Sequence, residues 1–190
     1  LDRDGVINVN HGYVNSIENF DFVDGIFDLV RTACKAGYRV VVVTNQAGIG
    51  RGYYSEGQFH ELTAWMCAQF EKHGAPIDRV YFSPYHPTAG VGKYRKDEDT
   101  RKPGPGMILR AKHELGLSLE DSVLVGDKPS DILAGITAGV RTNVLFSDDT
   151  FVELAGLDYL PVRALKDAIP CLEGEKKEKK KIGQNSKKKT

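Results

Sequence analysis

The chain has 190 residues, of which 41% are hydrophobic and 27% are charged, and its formal net charge is zero. These values are typical of a globular protein of one domain with a real core. Eight lysines and one glutamate fall in residues 176–190, so the preceding residues carry a net charge of about −7. The main body therefore has no bulk basic surface, and we expect no nucleic-acid partner.

The cysteines and the hydropathy pattern exclude two further classes of protein. The three cysteines, Cys34, Cys67 and Cys171, lack metal-ligand spacing and suggest no disulfide framework. No apolar run is long enough to span a bilayer. We therefore expect a cytoplasmic monomer without a membrane partner. Because the chain starts without Met on the acidic motif, we also expect the N-terminal strand to be truncated.

Strands and helices alternate along the predicted chain. Leu1 reads as the end of a first strand, and buried strands are predicted at 39–43, 79–82, 122–125 and 142–146. Amphipathic helices are predicted at 25–36, 55–73, 107–115 and 131–138. This alternation predicts an α/β fold: a Rossmann-like three-layer sandwich with a central, mostly parallel sheet and helices on both faces, covering residues 1–172.

Three predicted segments lie outside that alternation. Residues 10–21 are polar and aromatic, and we expect a loop over the functional site. Residues 83–105 contain several prolines and glycines and predict a long loop, which in a compact domain is usually functional. Residues 173–190 are lysine-rich and predict a disordered tail, either a simple solubilising segment or a contact for nucleic acid.

Acidic residues follow two predicted strands that are far apart in the sequence. Asp2 and Asp4 stand in the motif Asp2-Arg3-Asp4-Gly5, and Asp127 follows the strand at 122–125. The carboxyl ends of parallel strands meet at one edge of the sheet, where α/β proteins bind ligands. An oxygen-rich pocket there suits Mg2+, and a pair of carboxylates can divide nucleophilic attack from proton transfer. A solvated acidic turn is the alternative for the first motif alone.

A hydroxyl group and several cations follow other strands or precede helices. Thr44 ends a run of valines and can hold phosphoryl oxygens, or can simply cap the strand. Lys102 can neutralise a transferring phosphoryl group, although an Arg-Lys pair is often only a surface pair. Arg51 lies among three glycines that equally suit a plain turn. Asp131 either caps a helix or orients Lys102.

Taken in order, these motifs resemble the haloacid dehalogenase superfamily of phosphatases, and the resemblance covers the chain to about residue 146. It implies that Asp2 is the nucleophile, which forms an aspartyl-phosphate, and that Asp4 is the general acid and base. It implies a Mg2+ ion held by Asp2, Asp127 and the backbone carbonyl of Asp4. It also implies that Thr44 and Lys102 bind the phosphoryl group.

Within that superfamily, residues 8–14, 44–52, 101–107 and 126–128 are similar to the heptose bisphosphate phosphatases. The similarity implies a phosphorylated sugar as substrate and release of the C7 phosphate of D-glycero-D-manno-heptose 1,7-bisphosphate, a step towards lipopolysaccharide heptose. Asn45, Arg51, Arg101 and Lys128 are then expected to bind the substrate. Alternatives that share these motifs are a histidinol-phosphate phosphatase, a polynucleotide 3'-phosphatase and a non-catalytic phosphosugar-binding protein.

The chain departs from this family in the long loop. Many relatives bind zinc there through a Cys-x-His pair and a Cys-x-Cys pair. The corresponding positions here are Ser83, Tyr85, Glu98 and Thr100, which provide no thiolate. We therefore expect no Zn2+ in this protein.

Overall fold

A computed structural model of the chain describes residues 1–147 and 154–173. Five parallel strands lie in two hydrogen-bonded groups. In the first group, β1 (Val41–Asn45) pairs with β2 (Arg79–Ser83). In the second, β3 (Val123–Gly126) pairs with β4 (Thr142–Phe146), and β4 pairs with β5 (Leu160–Val162).

Leu1 and Asp2 join these two groups into one layer. The backbone nitrogen of Val43 donates to the carbonyl of Leu1 at 2.9 Å, and that of Asp2 donates to the carbonyl of Val125 at 3.0 Å. The strand order across the layer is therefore β2, β1, residues 1–2, β3, β4 and β5. Asp2 consequently enters the site from the middle of the sheet.

The described residues contain six α-helices, and five of them divide between the two faces of the sheet. Their bounds are α1 Ile26–Ala36, α2 Ala47–Gly50, α3 Glu56–Lys72, α4 Gly106–Leu115, α5 Pro129–Ala138 and α6 Ile169–Glu173. Helices α1, α3 and α6 pack with Val42, Val125 and Val144. Helices α4 and α5 pack with the alternate strand residues Val43, Leu124 and Leu145. Successive strand residues point to opposite faces, so this division confirms the predicted three-layer sandwich.

The predicted strands and helices agree with the observed ones within about two residues, and three short elements were missed: β5, α2 and α6. Strand β5 has three residues and contains Pro161. Too short to show a period, it tolerates proline because it lies at the edge of the sheet. Helix α2 has four residues, two of them glycine, where the sequence predicted only a loop. Its glycines disfavour helix, so packing around Ile49 must stabilise it.

The two predicted loops carry short 3₁₀ turns. One turn lies at Ile17–Asn19 within 10–21, and the other at Gly92–Tyr94 within 83–105. No helix among the described residues has the length and apolarity needed to cross a membrane. The predicted lysine-rich tail, residues 173–190, lies outside the described residues apart from the end of α6.

Phe70 on α3 provides a test of the core on the α1/α3 face. Its side chain is fully buried, and its ring lies 4.9 Å from the ring of Phe27 and 5.8 Å from that of Phe22. We expect Phe70→Ala to lower the free energy of unfolding by about 3–5 kcal/mol, because it removes buried area and leaves a cavity. Denaturant unfolding measures this, with Leu109→Ala, 40% exposed, as the control. Equal losses in the two variants would contradict this assignment of the core.

Candidate active site

The predicted site residues gather at the carboxyl edge of the sheet. Asp2 continues the central segment between β1 and β3, Thr44 lies near the end of β1, and Asp127 follows β3 directly. Lys102 comes from the loop before α4. The parallel register brings these segments together although up to 125 positions separate them.

Lys102 forms a buried ionic centre with two aspartates. Its Nζ lies 2.7 Å from Oδ1 of Asp2 and 2.6 Å from Oδ1 of Asp131, and it also donates to the carbonyl of Val43 at 2.8 Å. Burial would raise the pKa of Asp2, but the Lys102 ammonium holds it below its usual value. Burial would likewise lower the pKa of Lys102, but the two carboxylates raise it. Asp2 is therefore ionised, as a nucleophile must be.

The sequence left open whether Asp131 caps a helix or orients Lys102, and its carboxylate contacts both the start of the helix and Lys102. Helix α5 begins at Pro129, so Asp131 is its third residue and not the N-cap residue itself. Its Oδ2 nevertheless accepts from the backbone nitrogen of Lys128 at 2.9 Å, while Oδ1 contacts Lys102. One carboxylate thus caps the helix and orients the catalytic-site lysine. Burial and the charge of Asp2 raise the pKa of Asp131.

Three carboxylates lie close enough to share one cation. Oxygens of Asp2, Asp127 and Asp131 all lie within 4.8 Å of one another. The approach of Asp127 requires Gly5, which has a φ of 105° and where a Cβ would lie 2.1 Å from Oδ2 of Asp127. The glycine of the first acidic motif therefore makes room for the third acidic residue.

The electrostatics of Asp127 fit a bound divalent cation. Its Oδ1 is buried without a hydrogen-bond partner among the described residues. Burial and the charge of Asp2 raise the pKa of Asp127 to about 7, against some opposition from Lys128, whose Nζ lies 3.3 Å from Oδ2. An orphaned oxygen beside other carboxylates is a suitable ligand for Mg2+, which prefers oxygen donors. The residues present thus fit the predicted Mg2+ ion.

The side chain of Asp4 is not a member of this three-carboxylate cluster, and several donors hold it in place. Arg3 donates from Nη2 to Oδ1 at 2.8 Å and to Oδ2 at 2.9 Å, and Asn8 donates to Oδ1 at 3.1 Å. Gln46 donates from Nε2 to Oδ2 at 2.9 Å. Only the backbone of Asp4 remains a predicted metal ligand.

Thr44 and Gln46 form a second buried cluster with Tyr54. Nε2 of Gln46 also donates to Oγ1 of Thr44 at 2.8 Å, and the hydroxyl of Tyr54 donates to Oε1 of Gln46 at 2.6 Å. Burial raises the pKa of Tyr54 to about 12, so the hydroxyl stays protonated and available as a donor. The Thr44 hydroxyl therefore has a fixed position at the strand end.

Asn45 and Lys128, which the sequence predicted to bind substrate, also contact other residues of the site. The side-chain amide of Asn45 donates to the carbonyl of Lys102 at 2.9 Å and accepts from its backbone nitrogen at 3.0 Å. Asn45 thus fixes the peptide that carries the ammonium group. Lys128 is about half exposed, beside Asp127 at the mouth of the site.

Two arginines, Arg51 and Arg101, lie close enough together for the charge of one to act on the other. Arg51 lies over the ring of Tyr13 at 5.7 Å, and its buried Nε has no hydrogen-bond partner among the described residues. Arg101 donates to the carbonyl of Tyr85 at 3.1 Å, and burial together with the charge of Arg51 lowers its pKa. Burial and both arginines likewise lower the pKa of His86. Neither arginine has a carboxylate partner in the described part of the chain, so the two guanidinium groups suit an anion.

Hydrogen bonds hold the long loop in place, and one of them joins two of the positions predicted to lack zinc ligands. Oγ of Ser83 lies 3.3 Å from Oγ1 of Thr100. The hydroxyl of Tyr94 donates to Glu56 on α3 at 2.6 Å, and the backbone nitrogen of Val91 donates to the carbonyl of Gly50 at 2.8 Å. These bonds join the two ends and the middle of the loop to their neighbours.

Sequence reasoning missed four residues that shape the site: Arg3, Asn8, Gln46 and Tyr54. Arg3 is 1% exposed, binds the carbonyl of Val14 at 2.7 Å and so ties the loop at 10–21 to the acidic motif. An arginine between two aspartates gives no signal that it is buried. Tyr54 has no periodic pattern around it that would mark it as a partner of Gln46.

The chain has relatives along most of its length. A family model described as HAD-hydrolase-like matches residues 99–152. The D-glycero-alpha-D-manno-heptose-1,7-bisphosphate 7-phosphatase of Burkholderia mallei is 55% identical over 174 residues, 92% of each chain. The D-glycero-beta-D-manno-heptose-1,7-bisphosphate 7-phosphatase of Escherichia coli K12 is 47% identical over 145 residues, 76% of each chain.

Solved structures show the same fold. A HAD-like phosphatase from Mesorhizobium loti superposes with a TM-score of 0.82 at 36% identity, covering 90% of this chain and 83% of that one. The D,D-heptose 1,7-bisphosphate phosphatase of B. bronchiseptica, complexed with magnesium and phosphate, gives 0.76 at 24% identity, covering 92% and 96%. With the strand-end carboxylates in place, these similarities show that the chain is a phosphatase of the haloacid dehalogenase (HAD) superfamily, in the family that contains the heptose 1,7-bisphosphate 7-phosphatases.

Proposed function

We propose that this phosphatase removes the C7 phosphate of D-glycero-D-manno-heptose 1,7-bisphosphate with Mg2+ and through an aspartyl-phosphate on Asp2. The relative that is 55% identical and matches 92% of the chain carries the α-anomer in its name, which makes the α-anomer the first substrate to test. The cytoplasmic location and monomeric state of the present protein remain predictions from the sequence.

In the first step, an ionised oxygen of Asp2 attacks phosphorus as the bond to the C7 oxygen breaks. Asp4, in its protonated form, gives its proton to that leaving oxygen and becomes a carboxylate. In the second step, Asp4 takes a proton from water, which attacks phosphorus and displaces Asp2. Lys102 and Thr44 hold the phosphoryl oxygens, and Lys128 provides a further cation at the mouth.

A bound Mg2+ ion, held by Asp2, Asp127 and the backbone carbonyl of Asp4, neutralises phosphate charge and orients the phosphoryl group. The observation that carries the reaction type is the ionic centre at Lys102. It keeps Asp2 ionised although Asp2 is 5% exposed. A buried carboxylate without that ammonium would tend to hold a proton and lose its nucleophilic form.

The positions of Arg51 and Arg101 support a substrate with a second phosphate. Arg101 directly precedes Lys102 in the chain, and Arg51 follows β1 and α2. A substrate whose first phosphate contacts Lys102 can therefore place a second anion towards these two guanidinium groups, which bind phosphate through several donors at once. Histidinol phosphate carries no second phosphate, so the two arginines favour the bisphosphate over that alternative.

A panel of substrates tests the proposed function. We expect Mg2+-dependent phosphate release from the α- and β-heptose 1,7-bisphosphates to exceed release from histidinol phosphate and from a DNA 3'-phosphate. The Asp2→Asn variant should lose nearly all turnover, at least about 10³-fold, because an amide cannot form the covalent intermediate. Phosphate assay of purified protein measures both. Near-normal turnover by Asp2→Asn would refute covalent catalysis, and faster release from histidinol phosphate would refute the substrate.

The proposed contact of Arg51 with the second phosphate gives a separate prediction. Arg51→Gln should raise the KM for the heptose bisphosphate about ten- to a hundredfold, since it removes charge-assisted hydrogen bonds to the distal phosphate. The KM for heptose 7-phosphate should change little. Steady-state kinetics with both sugars measures this, with Arg110→Gln on the exposed face of α4 as the control. Equal effects on both sugars would place Arg51 outside the distal-phosphate site.

The raised pKa of Asp127 predicts how Mg2+ affinity depends on pH. Below about pH 7 the free protein holds a proton on Asp127, which Mg2+ must displace. We therefore expect the dissociation constant for Mg2+ to rise up to about tenfold for each pH unit below 7, and to level off above it. Titration calorimetry between pH 5.5 and pH 8.5 measures this. A constant affinity across that range would contradict the assignment.

A further inference from the structure

We propose that Gln46 and Tyr54 are positioning residues that hold the carboxylate of Asp4 for proton transfer. The inference rests on the proposed role of Asp4 as general acid and base. It adds two residues that do not touch the reacting atoms themselves. They act in sequence, because Tyr54 fixes Gln46 and Gln46 fixes Asp4.

The hydrogen bonds allow only one orientation of the Gln46 amide. Oδ2 of Asp4 already accepts from Arg3 at 2.9 Å, and in the second step Asp4 acts as a carboxylate, which only accepts, so the side of Gln46 that faces Oδ2 must be its NH2 group. That group has two hydrogens, and both are used: one bond of 2.9 Å reaches Oδ2 of Asp4 and one of 2.8 Å reaches Oγ1 of Thr44. The amide oxygen then faces Tyr54, whose hydroxyl must donate at 2.6 Å. Without that donor, a flipped amide would set its oxygen against the carboxylate.

Burial makes this chain of hydrogen bonds rigid; we call the chain from Tyr54 through Gln46 to Asp4 the relay, although it transfers no proton. Gln46 is 1% exposed and Tyr54 is 6% exposed, so water cannot easily replace either partner. The ring of Tyr54 also packs directly on the backbone of α2. A Cβ at Gly48 would lie 2.2 Å from the ring and 2.8 Å from its hydroxyl oxygen. The glycine at this position therefore permits the approach that brings the hydroxyl to Gln46.

The relay connects Asp4 to a different part of the sheet from its other partners. Arg3 and Asn8 contact Asp4 from the same short loop after residue 2. Gln46 follows β1, and its amide also holds the Thr44 hydroxyl that is proposed to bind the phosphoryl group. One side chain thus sets the position of the proton-transfer group relative to the phosphoryl-binding group. That relative position decides whether the leaving oxygen is within reach of Asp4.

The test compares two leaving groups. The C7 oxygen of the sugar is an alkoxide leaving group and needs a proton, whereas p-nitrophenolate leaves without one. Gln46→Leu also removes the donor to Thr44, so it should lower kcat/KM for both substrates, and for the heptose bisphosphate about tenfold more than for p-nitrophenyl phosphate. Tyr54→Phe should lower kcat/KM for the heptose bisphosphate about ten- to a hundredfold, but lower kcat/KM for p-nitrophenyl phosphate less than about threefold. Gly48→Ala, which keeps both hydrogen-bonding side chains but displaces the ring, should show the same selective loss.

The controls separate this inference from folding and from the role of Asp4. Tyr81→Phe removes a tyrosine hydroxyl that donates to Glu114 at 2.7 Å on the α4 side, and it should change neither substrate. Asp4→Asn should show a larger loss of the same selective kind. Equal losses on both substrates in Tyr54→Phe and Gln46→Leu, or no loss, would overturn the relay if Asp4→Asn is selective. An unselective Asp4→Asn would instead refute the proposed role of Asp4, and the relay with it.

Discussion

The contact of Lys102 with Asp2 and Asp131 joins segments that the chain itself keeps far apart. The ammonium comes from the loop before α4, one carboxylate from the middle of the sheet and the other from the first turn of α5. Removing one partner of such a buried group costs about 3–5 kcal/mol, because the remaining charge stays buried and unpaired. The arrangement also keeps Asp2, the proposed nucleophile, ionised, so that the same contact serves the fold and would serve the proposed reaction.

The rest of the site is built around this centre by residues that bind backbone or carboxylate groups. Asn45 fixes the peptide of Lys102, Asp131 caps α5, and Arg3 holds both Asp4 and the loop at 10–21. Arg51 and Arg101 have no carboxylate partner among the described residues, and in the proposed function the substrate provides the matching negative charge. The site therefore divides into a region whose charges are balanced internally and a region that waits for an anion.

The sequence predicted the repeated elements well, because each carries a local signal. The valines at 40–43 alternate between the two faces of the sheet, and the stripe on α3 includes Phe59, Leu62, Met66 and Phe70, all of which are buried. Strand β5 and helix α2 lack such signals: one is three residues long with a proline, and the other is half glycine. Their structure comes from the neighbours that they pair with or pack against.

The sequence by itself determined which residues would gather at one edge of the sheet: the acidic motif at 2–5, Thr44, Lys102 and Asp127, each predicted after a strand or before a helix. This was possible because parallel strands bring their carboxyl ends to one edge wherever they lie in the chain. Only the tertiary structure decided what holds those residues in place. The contacts of Arg3, Gln46 and Tyr54 cross as many as 42 positions, between Gln46 and Asp4, and they depend on burial and on the room left by Gly48. Such contacts leave no period or spacing in the sequence, since they are set by packing in three dimensions.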